Sequence, residues 1–198
     1  MKRVKCLAAV GIVISLFLGE SALAKEWKPY QFSGKNEHFE YLITSFENEE
    51  EETSTYILDI KEGKGGLYDV TVTSKWTTEE LGDSILGGFW GAQGMGMQFL
   101  FFNPMFMMFF GNHELKVGRE IAGFMGTGIM TITGKEKIAG REGFVCEFRE
   151  KEKEPVIARW VIDPDLALPL KTENFEKIED KGKETRSTGK MELQKYSR

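Results

Sequence analysis

Apolar and polar residues alternate along most of this chain, and a period of two marks strands with one buried face. Residues 37–46 are the clearest case: Phe39, Tyr41 and Ile43 alternate with Glu40, Leu42 and Thr44. Residues 53–61 repeat the pattern with Tyr56, Leu58 and Ile60 on one face. Residues 67–76 repeat it again with Tyr68, Val70, Val72 and Trp76. The mostly acidic residues 47–52 read as the first turn, and Gly63-Lys64-Gly65-Gly66 as a hairpin turn after the second strand. Alternation resumes at 114–117, 128–133 and 136–139. After a turn at 140–143 it continues at 144–149, with Phe144, Cys146 and Phe148 on one face. Residues 156–163 carry Ala158, Trp160 and Ile162 on one face, and strands at 169–178 and 185–196 complete the pattern. Residues 25–35 read as an edge strand or a strapped-down arm. Roughly nine to eleven sequential antiparallel strands are predicted, with turns at the spacing of all-β folds. Such hairpins with one apolar face curl into a barrel or an open half-barrel.

One stretch breaks the pattern. Residues 84–113 contain no Asp, Glu, Lys or Arg but are dense in Phe and Met. Left in water, those side chains would forgo on the order of 20 kcal/mol, more than a typical domain's whole stability. The stretch must lie against its own core, a partner, a lipid-like ligand or a bilayer. Asn103-Pro104 and the glycines at 87, 88, 91, 94 and 96 make a spanning helix a poor fit. Thr77 to Glu80 forms a capping box for a short helix reaching about Leu86, and Pro104 suits the start of a second helix to Phe110. Two readings remain: a core helix with an irregular lead-in, or a mobile flap or docking element. Either way it is an insertion, residues 78–113, between strands of a single domain at 25–198.

Residues 1–24 carry Lys2, Arg3 and Lys5, then an apolar run from Cys6 to Gly19, then Ala22-Leu23-Ala24. That is the layout of a secretion signal cut after Ala24, the alternative being an uncleaved anchor. The product is expected to be exported, and periplasmic where the source has two membranes. The net charge of −5 deepens once the basic leader is gone, which argues against nucleic acid and anionic lipid heads as partners. Cys146 is then the only cysteine, so packing rather than an internal disulfide must stabilise the domain.

Candidate chemistry is thin. His38 and His113 stand far apart without metal-ligand spacing, and Cys146 falls on an apolar strand face. Asp163 and Asp165 flank Pro164 in a turn, which fits a turn role better than paired acid–base work. No cofactor, metal site or catalytic group is expected, and the chain does not read as an enzyme.

The run from Gly134 to Cys146, followed by Ala158-Arg159-Trp160-Val161-Ile162-Asp163 and Leu168-Pro169-Leu170-Lys171, resembles the envelope carriers of the outer-membrane lipoprotein-sorting type. The resemblance implies an incomplete antiparallel barrel with a helical lid that shields acyl chains from water. The fold expected is thus mainly β, an open half-barrel with a Met/Phe/Gly-rich lid. Its partner would be a lipid or acylated lipoprotein. Candidate trough residues, with facing taken from alternation, are Tyr41, Ile43, Tyr68, Val70, Val72, Phe144, Phe148 and Trp160. Candidate lid residues are Phe89, Trp90, Met95, Met97, Phe99, Phe102, Phe106 and Phe109. An acyl chain would displace lid contacts, at about 0.8 kcal/mol per buried methylene. The alternative is a docking protein that uses 84–113 against a membrane or an envelope protein and carries nothing.

Overall fold

A computed structural model describes residues 25–28, 31–47, 50–77, 113–122, 128–178 and 185–198. Their strands are β1 (Lys25–Trp27), β2 (Glu37–Glu47), β3 (Glu50–Glu62), β4 (Tyr68–Trp76), β5 (His113–Leu115), β6 (Glu120–Ala122), β7 (Ile129–Ile138), β8 (Arg141–Arg149), β9 (Ala158–Ile162), β10 (Lys171–Lys177) and β11 (Thr185–Ser197). Nine form one antiparallel sheet in the order β4-β3-β2-β11-β10-β9-β8-β7-β6. β1 and β5 pair separately. The C-terminal strand lies in the middle, between β2 and β10, and joins two meanders. Among the described residues β4 and β6 each pair on one side only, so the sheet is open.

Period-two alternation builds one continuous apolar face, because residues opposed across a ladder share a face. Val72 faces Leu58, Leu58 faces Phe39, and Tyr41 faces Leu193. On the other side Thr172 faces Trp160, Trp160 faces Cys146, and Cys146 faces Ile132. The opposite face is charged. There Lys171 stands 3.7–3.9 Å from Glu136, Glu173 and Glu192, and Arg159 binds Glu136 at 2.8 Å. Curling brings β8 toward β11 across β9 and β10: the Arg141 guanidinium at the start of β8 lies 5.3 Å from the Tyr196 ring near the end of β11.

One end of the trough is plugged. Between β9 and β10, Leu166, Leu168 and Leu170 are buried. Trp27 is wholly buried there and donates from Nε1 to the Leu166 carbonyl at 3.0 Å. Tyr41 donates from its hydroxyl to the Pro169 carbonyl at 2.9 Å. The arm expected at 25–35 is therefore anchored through β1, in the small sheet with β5.

Several boundaries differ from the sequence reading. Glu50 to Glu52 belong to β3 rather than to a turn at 47–52, with Glu51 paired to Phe46 and Glu52 to Ser45. Glu51 and Glu52 are exposed there, so their acidic side chains do not interrupt the ladder. The strands expected at 128–133 and 136–139 are one strand, β7, with a bulge between Ile132 and Gly134 that shifts the alternation. The turn expected at 140–143 is the two-residue turn Ala139-Gly140, with φ of +48° and +79°. β5 stops at Leu115, short of the expected 117, because the chain turns at Gly118 (φ +86°), whose amide donates to the Ile132 carbonyl at 2.7 Å. β9 and β10 are shorter than expected because 163–170 forms the plug. The helices and lid expected within 78–113 lie outside the described residues, save His113 in β5.

Candidate hydrophobic ligand site

At its β4 edge the apolar face is left uncovered by the described residues. Tyr68, Val70, Val72 and Trp76 are 49%, 59%, 43% and 39% exposed, although they share a face with the buried Leu58 and Ile60. Tyr68, Val70 and Val72 form a contiguous apolar stripe rather than scattered surface hydrophobics, and Ser74 separates them from Trp76. At the Tyr68 end the stripe opens into a cavity of 470 Å³ lined by Gln31, Phe32, Gly34, Leu58, Ile60, Tyr68 and Val70. That volume falls within the usual range for small-molecule sites.

The strap 31–34 forms one wall, and a buried carboxylate holds it. Glu37 is nearly wholly buried at the start of β2 and accepts from the Ser33 amide at 2.9 Å and the Tyr196 hydroxyl at 3.0 Å. Arg198 approaches the same carboxylate at 3.5 Å. Phe32 then packs edge-on against Phe39 at 6.1 Å. Gly34 takes φ +73°, and a Cβ there would lie 3.2 Å from the Tyr68 hydroxyl oxygen. On the other side of the strap is a smaller, charged hollow of 310 Å³, lined by Glu26, Lys28, Ser33 and Asp165 among others.

Of the predicted trough residues, Tyr68 and Val70 line the cavity and Val72 continues the stripe. Tyr41, Ile43, Phe144, Phe148 and Trp160 are buried in the core, with the Phe148 and Trp160 rings 6.2 Å apart. Burial, and then the neighbouring Tyr56, push the Tyr41 hydroxyl well above its usual pKa. Phe89, Trp90, Met95, Met97, Phe99, Phe102, Phe106 and Phe109 lie outside the described residues. Sequence reasoning missed Phe32, Leu58 and Ile60 as lining. Continuing the register across the Gly63 hairpin would have found the last two, since Ile60 pairs with Val70. Among the described residues, the Trp160 Nε1 donor and the Ser74 hydroxyl on the inner face are buried and find no hydrogen-bond partner.

The residues weighed for chemistry sit elsewhere. His38 on β2 binds the directly opposed Asp59 through Nδ1 at 2.8 Å, away from the apolar face. Burial, then Arg119, lowers the His113 pKa. Burial pushes the Cys146 thiol up to about 12. Asp163 accepts from Arg141 Nε at 2.6 Å and from the Asp165 amide at 2.9 Å, which makes it a turn-forming carboxylate. Among the described residues no group of His, Cys, Asp and Glu could hold a metal ion, and no helix is long and apolar enough to cross a membrane.

No family model and no curated protein matches the chain in sequence. Solved structures do match. The crystal structure of MucB aligns at 12% identity and a TM-score of 0.40, covering 82% of this chain and 53% of MucB. The MucA/MucB complex of Pseudomonas aeruginosa aligns at 13% identity and 0.39, covering 82% and 51%. A putative outer membrane lipoprotein-sorting protein domain from Vibrio parahaemolyticus aligns at 10% identity and 0.22, covering 83% and 86%. The chain thus spans about half the length of the MucB chains it matches.

Proposed function

We propose that this protein is an exported carrier that holds the acyl chain of a lipid or lipoprotein against the uncovered part of its inner face. The observation behind this reading is the exposed stripe Tyr68, Val70 and Val72, continuous with the 470 Å³ cavity. An alkyl chain laid along it gains about 0.8 kcal/mol per buried methylene. The cavity would take one end of such a chain. The unpartnered Trp160 N–H and Ser74 hydroxyl would suit an ester or amide carbonyl of the cargo. In this reading the Met- and Phe-rich run 84–113, which lies in sequence between the edge strands β4 and β6, acts as the cover.

The test is native mass spectrometry with lipid extraction on detergent-free exported protein, alongside titration with a fluorescent fatty acid. Wild type is expected to carry lipid. Val70→Glu, which sets a charge into the cavity wall, is expected to bind the probe at least about tenfold more weakly. A clean apo mass with no probe binding would reject the carrier reading. Flotation of that apo protein with liposomes would then favour a docking protein.

A further inference from the structure

Among the described residues the outer edge of β4 is unpaired, and that edge is complementary to itself. β4 is a nine-residue edge strand, its residues exposed or half-buried along the whole length, with no proline to block pairing. Two copies laid antiparallel about a twofold axis at Val72 overlap completely, because Tyr68 and Trp76 lie equally far from it. In that register Asp69 stands opposite Lys75 of the second copy, and Lys75 opposite its Asp69. Thr71 faces Thr73, Val72 faces Val72, and Tyr68 faces Trp76. Charge pairs, Thr–Thr pairs and aromatic pairs are the combinations that stabilise cross-strand contacts. No described residue forms an ion pair with Asp69 or Lys75.

The backbone supports the same register. The Gly63 amide donates to the Leu67 carbonyl at 2.9 Å, in line with the β3–β4 register in which Glu62 pairs with Tyr68. Ladder bonds alternate along an antiparallel pair. Asp69, Thr71, Thr73 and Lys75 therefore bond inward to β3. Tyr68, Val70, Val72, Ser74 and Trp76 turn their amides and carbonyls to the free edge. A twofold axis at Val72 sets each of these opposite another of the same set, so the outward groups of both strands find partners. By the same alternation Asp69 and Lys75 of the second copy fall on a non-hydrogen-bonded pair, where side chains come closest.

We infer that two copies of this chain pair through their β4 strands as a twofold dimer in this register, joining the two sheets and setting their apolar stripes side by side. The interface is isologous and closes on itself.

Charge reversal tests the register. Sedimentation velocity of the purified protein over a dilution series is expected to show a monomer–dimer equilibrium. Asp69→Lys alone and Lys75→Asp alone each set like charges opposite one another twice, and each should weaken the dimer about tenfold or more. The double variant Asp69→Lys/Lys75→Asp should restore it. An equimolar mixture of the two single variants should form a heterodimer at concentrations where neither pairs with itself. These residues lie on the face of β4 away from the cavity, so fatty-acid binding should survive in all variants, and failure of this inference is distinguishable from failure of the carrier reading. A monomer at every concentration, or a dimer indifferent to both single reversals, overturns the inference. Hydrogen exchange gives a second readout: the Val70, Val72 and Ser74 amides should gain protection as concentration rises. Protection independent of concentration would mean that another part of the chain covers the edge, and would overturn it equally.

Discussion

At the scale of single residues, the inner face is distinguished by ionisable groups held neutral. Burial raises the pKa of Tyr41, Tyr56 and Cys146, the last to about 12 from an ordinary 9.0. The native state therefore keeps protons that the unfolded chain releases once pH passes about 9. Stability is fully present below that point and falls as pH rises toward 12, at up to about 1.4 kcal/mol per pH unit for each such group. Urea midpoints measured from pH 7 to 10.5 should be flat and then drop, and Cys146→Ala should lessen the drop between pH 9 and 10. Identical slopes in the two proteins would show that the thiol is not the group responsible. The facing of Tyr41, Ile43, Phe148 and Trp160 was legible in the sequence, because a period of two fixes it. Which of them lie covered was not, since that depends on which distant segment packs above. Phe32 belongs to a strap whose position is set by Glu37, Tyr196 and Arg198 together, and no local pattern links residues so far apart.

At the scale of the element, the β7–β8 hairpin shows how one glycine can stand for two different needs. Gly140 and Gly143 together resemble a four-residue turn, but only Gly140 is there for its backbone angle, φ +79°. Gly143 is a strand residue, and a Cβ on it would sit 2.8 Å from Val161 Cγ1 and 3.0 Å from the Ile162 carbonyl carbon. Glycine there allows β8 and β9 to approach closely, a tertiary demand that sequence alone presents as a turn. The other turn position is Ala139, at φ +48°. A side chain with no local hydrogen bond to offer is costly in the left-handed region, where Asn is far better tolerated. Ala139→Asn should therefore stabilise the protein by about 1 kcal/mol, raising Tm by roughly 2–4 °C. Differential scanning calorimetry at neutral pH would check this, and an unchanged or lower Tm would mean that the surrounding ladder already compensates the strain.

At the scale of the whole molecule, the decisive pairing is the one that sequence order conceals. Hairpins within each meander follow from turns, but no turn announces that β11 inserts between β10 and β2. The pairing of β1 with β5 spans some 90 residues and is equally silent. What fixes the small sheet to the large one is Trp27, wholly buried and bonded through Nε1 to the Leu166 carbonyl in the plug between β9 and β10. The N-terminal arm is thus part of the core rather than a trailing edge, and its loss should be felt globally. Trp27→Ala removes a large buried ring and should cost about 3–5 kcal/mol. Trp27→Phe keeps much of the packing but leaves the Leu166 carbonyl unpaired, which sets an intermediate cost of about 1–3 kcal/mol. Urea unfolding followed by circular dichroism should rank the three proteins in that order, with one cooperative transition in each. Two near-neutral substitutions would mean that β1 merely rests on the plug. A graded loss would mean that the trough is held shut at this end by the N-terminal arm, and its open, apolar edge would then be β4.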